Sequence, residues 1–344
     1  MGKKGYVVAG AGRIGSQYIE ILSSGLPGAV LKGCYVQDKA EKERVKQTYG
    51  CHVFNDENEY LGSPDVDAVI IATPSYTHEE MAHKTLDAGK HILLEKPLAL
   101  SLQAAQNIVE KARIANLLLM PSFPERFNPV YQRAKALIKD GVLGEIISLN
   151  CKRHTKSNHR PEWYWRNEKS GGVIWDLACH DMDLCRWLLE QEAESIAAIG
   201  KTVTRDSDAL DNAFIHIVFE RGPIASLDAS WILPPSFPAW GDVRMDILGE
   251  DGLLTVDTGL SQPIHICGKG GSLSFIHRVE YDRWQAVDVN RDGYLAAMLS
   301  AFDAAVSGTQ PLPVTGNDGL KVVELADAAH KALAEKRTVA IKTQ

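Results

Sequence analysis

Six residues, Gly10-Ala11-Gly12-Arg13-Ile14-Gly15, constrain this chain more than any other stretch. They follow an apolar run, Tyr6–Ala9, and open a helical pattern over 13–24. Gly10 permits a tight turn. Gly12 lets a pyrophosphate approach the backbone, and Gly15 lets helix and strand pack closely. The helix N-terminus adds N–H groups without helical partners and the positive end of the dipole. The pattern predicts a dinucleotide-binding turn rather than an ordinary glycine turn of an α/β protein. Arg13 and Ile14 belong to the same loop and are candidate cofactor contacts.

The surrounding pattern agrees. Apolar runs at Val30–Val36, Ala68–Ala72, His91–Leu94 and Leu117–Met120 alternate with helical stretches near 39–49, 76–88 and 101–115. Strand and helix in alternation predict a doubly wound parallel sheet. From about 124 the grammar changes. One helix (Asn128–Lys139) and a long strand (Glu145–His154) lead to a helix at about 173–190. Alternating runs follow at Ser195–Val203, Ala213–Glu220, Ile224–Trp231, Val243–Leu248, Leu253–Val256 and Ile264–Cys267, then helices at about 291–307 and 317–335. This predicts an α+β domain with a large, mainly antiparallel sheet. The expected division is 1–123 for a Rossmann domain and 124–344 for substrate binding and oligomerisation. A chain of 344 residues with formal charge -7 argues against nucleic acid as the main partner, since phosphate contacts need a basic surface. No run reaches the ~18 apolar residues of a membrane span. No apolar signal core precedes the first strand, and the six cysteines form no CxxC pair, so a cytoplasmic protein with free thiols is expected.

Three further places carry chemistry. The acid that usually binds the cofactor ribose would stand at the end of the second strand, where Val36 and Gln37 fall; Asp38 comes one or two residues late. Gln37 and Asp38 are the candidates, and NAD against NADP stays open with a slight lean to NAD. Glu95-Lys96-Pro97 ends the strand His91–Leu94, where ligands of open α/β sheets bind. Pro97 holds Lys96 extended, and the peptide could be cis. Gly171-Gly172 precedes Asp176 and His180, four residues apart and so on one helix face. A carboxylate beside an imidazole is an acid/base arrangement. Asp183 lies three residues further, which leaves a divalent metal as a competing reading, and a core histidine as another. Lys152–Arg166 is locally basic and holds Trp163, Tyr164 and Trp165. It reads as a solvated loop or as a substrate wall in which indoles meet sugar rings; Arg126 is a further candidate, or a salt-bridge residue.

Taken in order, Gly10–Gly15, Thr73-Pro74-Ser75 with His78, Glu95-Lys96-Pro97, and Gly-Gly before Asp176 and His180 resemble the Gfo/Idh/MocA oxidoreductases, the glucose–fructose oxidoreductase and inositol dehydrogenase family. The resemblance covers nearly the whole chain. It implies catalytic roles for Lys96, Asp176 and His180. It also implies cofactor contacts from Thr73, Pro74, His78, Glu95 and Lys96 beside the glycine loop. Substrate contacts are expected from Lys96, Arg126, Arg153, Trp163, Trp165, Asp176 and His180, and no metal. The implied reaction is NAD(P)-dependent oxidation of a secondary alcohol of a polyol, inositol, sugar or sugar derivative. The alternatives are an NAD-dependent glycosidase of the same fold and a non-catalytic nucleotide-binding protein. A homodimer or homotetramer is expected, with apolar residues along Phe214–Phe219 and Ala225–Trp231 on an exposed sheet face.

Overall fold

The computed structural model describes residues 2–156, 160–204, 206–237, 239–257, 264–268, 271–275 and 293–341, the strands at 264–268 and 271–275 by backbone alone. The expected side-chain environment of Cys267 and part of the 152–166 segment lie outside the described residues.

The chain folds as two units: residues 1–127 with 286–320, and residues 128–285 with 321–344. The first crossing lies between Phe127 and Asn128. A later stretch, the described residues 293–320, which the sequence reading put in the second domain, also falls in the first unit.

The first unit is built on a six-stranded parallel sheet in the order β3-β2-β1-β4-β5-β6. These strands are β1 (Lys4–Ala9), β2 (Ala29–Tyr35), β3 (Val53–Phe54), β4 (Ala68–Ile71), β5 (His91–Leu94) and β6 (Leu119–Pro121). The order is that of the Rossmann fold, reversing between β1 and β4. The helices are α1 (Arg13–Gly25), α2 (Lys39–Tyr49), α3 (Glu57–Leu61), α4 (His78–Asp87) and α5 (Leu102–Ile114). Side chains set their ends. Asp56 caps α3 through Asn58 N–H and Glu59 N–H, and Ser101 caps α5 through Ala104 N–H. β1 is buried on both faces from Gly5 to Ala9, as a central parallel strand must be. The returning helix α9 (Tyr294–Val306) is fastened to this unit by Tyr6, whose hydroxyl donates to Asp303 at 2.9 Å.

The second unit is a nine-stranded sheet in the order β14-β13-β12-β11-β7-β10-β9-β8-β15. Its strands are β7 (Ile146–Lys156), β8 (Ala193–Lys201), β9 (Asn212–Phe219), β10 (Ile224–Leu233), β11 (Gly241–Gly249), β12 (Gly252–Asp257), β13 (Ile264–Gly268), β14 (Gly271–Phe275) and β15 (Val339–Ala340). β7 and β10 are parallel and the other pairings antiparallel. The helices are α6 (Pro129–Lys139), α7 (Asn167–Ser170), α8 (Cys179–Leu189) and α10 (Gly316–Glu335); α10 starts in the first unit and ends in the second.

Strand periodicity divides the sheet into two faces. Cys151, Arg153, Ile215, Ile217, Leu227, Ala229 and Trp231 are buried, with α8 packed against β7. Phe214, Val218, Ile224, Ile232, Leu248 and Leu253 lie exposed. The expectation for β10 is thereby corrected. Its apolar set Ala225–Trp231 faces the covered side, and its outward residues from Ser226 to Ser230 are polar. A one-residue shift of phase moves every side chain to the other face.

Candidate functional site

The glycine loop has the geometry its spacing predicts. Gly10 has φ of 92°, and a Cβ there would stand 2.5 Å from the Ala72 carbonyl oxygen. A Cβ on Gly15 would fall 2.0 Å from the Gly10 carbonyl oxygen. A Cβ on Gly12 meets nothing within 4 Å, so open space faces the loop where a pyrophosphate would lie. Gly12 caps α1 without a side-chain acceptor, which leaves the first-turn N–H groups to a ligand. Arg13 is exposed on the loop and Ile14 half-buried. These features fit a dinucleotide.

At the end of β2, Gln37 and Asp38 are exposed while Val36 is buried. Asp38 accepts from the Glu41 N–H at 2.8 Å and caps α2. Sequence reading missed Arg44. From α2 it donates to the Ala11 carbonyl at 2.8 Å and so reaches the glycine loop.

The β4 and β5 ends are tied by His78. Its Nδ1 lies 2.8 Å from the Pro97 carbonyl and its Nε2 3.0 Å from the Thr73 carbonyl. The ring is wholly buried. Burial holds its pKa below the ordinary value, against the two carbonyls, which favour the charged ring. His78 therefore positions the Thr73-Pro74 turn and the Lys96-Pro97 peptide, and its ring nitrogens are spent on protein rather than on cofactor. Thr73 is likewise engaged, with its hydroxyl 2.7 Å from that of Thr77. Glu95 is similar. It accepts from the Tyr18 hydroxyl at 2.8 Å, and burial raises its pKa. Lys96 is half-buried, and Lys96–Pro97 is cis.

In the second unit, Gly171 and Gly172 both have positive φ, at 69° and 75°. A Cβ on Gly172 would stand 2.7 Å from the Leu210 carbonyl oxygen. The predicted helix 173–190 is interrupted at its start. Ile174–Ala178 forms a wide π-type turn, closed by the Cys179 N–H onto the Ile174 carbonyl five residues back, before α8 begins. Such turns concentrate at functional sites. Asp176 sits at the middle of this turn, buried, and His180 in the first turn of α8, half-buried. Asp176 Oδ2 accepts two hydrogen bonds, from Arg160 at 2.9 Å and from the Trp231 indole at 2.9 Å. Neither donor was singled out by sequence.

Two expected substrate contacts, Arg153 and Arg126, are buried and engaged within the protein. Arg153 is 3% exposed and forks onto Asp181, with contacts of 2.8 to 3.1 Å beneath α8. Period-2 alternation puts it on the covered face. Arg126 is buried and pairs with Asp318 at 3.0 Å inside the first unit, the salt-bridge reading kept open above. Trp163 and Trp165 are half-exposed. Trp163 stacks on Tyr164 at 4.1 Å, and Trp165 meets Trp231 edge-on at 5.8 Å. Among the described residues no group of three or more His, Cys, Asp or Glu is placed to hold a metal ion, and no helix is long and apolar enough to cross a membrane.

Comparison with known proteins decides the family. Residues 4–123 match the model of the oxidoreductase family with NAD-binding Rossmann fold, and residues 131–255 the GFO/IDH/MocA C-terminal domain. The chain is 32% identical to scyllo-inositol 2-dehydrogenase (NAD(+)) of Bacillus subtilis over 77% of each chain. The chain belongs to the GFO/IDH/MocA oxidoreductase family. It is also 26% identical to a myo-inositol 2-dehydrogenase of Thermotoga maritima, over 97% of this chain and 98% of that one. The crystal structure of GenD2 from gentamicin A biosynthesis, in complex with NAD, superposes with a TM-score of 0.85 at 25% identity, over 100% of this chain and 97% of the other. This family member therefore carries an NAD-binding domain in its first unit.

Proposed function

We propose that this oxidoreductase transfers a hydride between nicotinamide and a secondary alcohol of a polyol, inositol, sugar or sugar derivative. The observation that carries the reading is Asp176 and His180, a buried, doubly anchored carboxylate and a half-buried imidazole, at a π-type turn in an NAD-binding oxidoreductase. Relatives named as inositol dehydrogenases support the substrate class.

Gly10, Gly12 and Gly15 would hold the pyrophosphate on backbone N–H groups. Bound NAD supplies the hydride acceptor. His180 takes the hydroxyl proton as the carbinol C–H bond breaks, and Asp176 orients the ring and offsets its charge. Lys96, held by the Thr73–His78–Pro97 tie, donates to the substrate oxygen. Trp163 and Trp165 offer indole faces to an apolar ring face of the substrate. NAD is preferred modestly over NADP, because Asp38 keeps a carboxylate near the ribose end. We place the enzyme in the cytoplasm, in keeping with the free thiols of Cys34, Cys51, Cys151, Cys179 and Cys185, and as a homodimer or homotetramer.

The test is a panel of inositols, sugars and sugar acids with NAD and with NADP, followed at 340 nm. Reduction of cofactor by at least one polyol or sugar is expected. Silence across the panel with both cofactors would overturn the reading.

A further inference from the structure

Arg160, one of the two anchors of Asp176, is itself held from several sides. Its guanidinium lies 4.4 Å from the Trp231 ring centre and 4.9 Å from that of Tyr164. One terminal nitrogen donates to Asp176 Oδ2 at 2.9 Å, the other to the Thr155 hydroxyl at 2.6 Å. Its Nε is buried and has no hydrogen-bond partner among the described residues. Trp231, which flanks the guanidinium, sends its own N–H to the same Oδ2 at 2.9 Å.

We propose that Arg160 is the positioning residue of Asp176, acting on the reaction through that carboxylate. The inference rests on the catalytic reading of Asp176 given above. A second ion pair in the same unit shows what a structural pairing looks like here. Arg153 forks onto both oxygens of Asp181, and each side chain is only 4% exposed. That geometry satisfies both partners against each other. At Asp176 donors from two separate elements meet on Oδ2, which orients the carboxylate and places its charge. The aromatic rings fix the guanidinium in turn, since arginine stacks on ring faces as lysine does not. Thr155 pins the far nitrogen. Asp176 lies within a wide turn whose backbone hydrogen bonding is not that of an α-helix, so an external anchor supplies rigidity that the turn lacks.

The test is a double-mutant cycle in the full-length protein, assayed with NAD and the panel compound that the parent turns over fastest. Arg160→Gln, Asp176→Asn and the double variant are compared in kcat and in KM for NAD, with circular dichroism as the check on folding. Arg160→Gln lowers kcat and leaves KM for NAD unchanged. In the Asp176→Asn background the same change alters kcat by less than about twofold, a coupling of roughly 5- to 100-fold. Arg160→Lys recovers part of the loss. Trp231→Phe keeps a ring and removes the second donor, and lowers kcat in the same coupled way; it carries the cycle should Arg160→Gln not fold. An equal factor in both backgrounds, or parental kcat in Arg160→Gln, would overturn the positioning role while leaving the catalytic reading of Asp176 intact. Asp176→Asn with kcat within a few-fold of the parent overturns that reading and the inference together, as does a parent that turns over nothing in the panel.

Discussion

At the scale of single residues, Asp38 combines two functions in one carboxylate. Its bond to Glu41 N–H caps α2, and the same group stands near the expected ribose end of a dinucleotide. Asp38→Ala therefore lowers unfolding free energy by about 1 kcal/mol, the usual worth of a cap. It also narrows the preference for NAD over NADP. Denaturant unfolding and parallel cofactor titrations check the two effects, and a cofactor preference that does not move places the carboxylate away from the ribose. His180→Asn removes the titrating base and keeps a polar side chain. Turnover falls by roughly 10²–10⁴-fold while NAD affinity is retained, since the glycine loop is untouched. Cys51 is the least buried of the described cysteines, and the Cys34 thiol 3.8 Å away lowers its pKa to about 7. Among these described cysteines iodoacetamide at neutral pH modifies Cys51 first, as peptide mass mapping would show; earlier modification of Cys151 or Cys185 contradicts the burial described for them.

At the scale of elements, the His78 tie makes a pH prediction with a definite sign. Burial lowers the pKa of His78, and likewise of His91 and His330, below the ordinary imidazole value. Between the folded value and about 6.5 the unfolded chain binds the extra proton, so stability is full above that range and falls as pH drops through it. Glu95 and Asp303, raised by burial, act the opposite way from about pH 4.5 upward, and a comparison with a variant cancels them. His78→Gln reduces the slope of unfolding free energy between pH 7.5 and 5.5, by at most about 1.4 kcal/mol per pH unit. An unchanged slope means that His78 titrates normally in the fold. The elements of the first unit were legible in the sequence because parallel strands are short apolar runs with glycine and cap residues between them. β3, two residues long, gave no periodic signal. The helix reading at 173–190 missed the π-type turn, because a widened turn keeps the same apolar residues and changes only the backbone register. Lys96, Asp176 and His180 could be named because each sits in a short motif. Arg160 and Trp231 could not: Trp231 reaches Asp176 from 55 residues away, and only the fold brings them together.

At the scale of the whole molecule, the return of residues 293–320 to the first unit had no sequence signature. The apolar face of α9 would suit any core, and the residue that identifies its partner is Tyr6, bonded to Asp303 across 297 positions. The open face of the large sheet bears on association. Strand register aligns Val218 with Ile224, and Leu248 with Leu253, while Asp228, Lys152 and Arg244 follow one another across adjacent strands. Ile199, 72% exposed, stands beside Phe214. Apolar groups beside charges of both signs suit a self-complementary, two-fold contact. Light scattering at micromolar concentration is expected to give a dimer or tetramer mass, and Phe214→Glu to shift it downward; a monomeric parent would contradict this assignment.

Net hydride transfer from a carbinol carbon to nicotinamide leaves an isotopic signature. A substrate from the panel, deuterated at the oxidised carbon, tests it most directly, with the reduced cofactor isolated and its C4 position read by mass spectrometry and proton NMR. One deuterium per reduced nicotinamide is expected, accumulating in step with the ketone product. Free sugar released from a glycoside, with no reduced cofactor accumulating, would contradict it and assign the fold to transient oxidation and elimination instead.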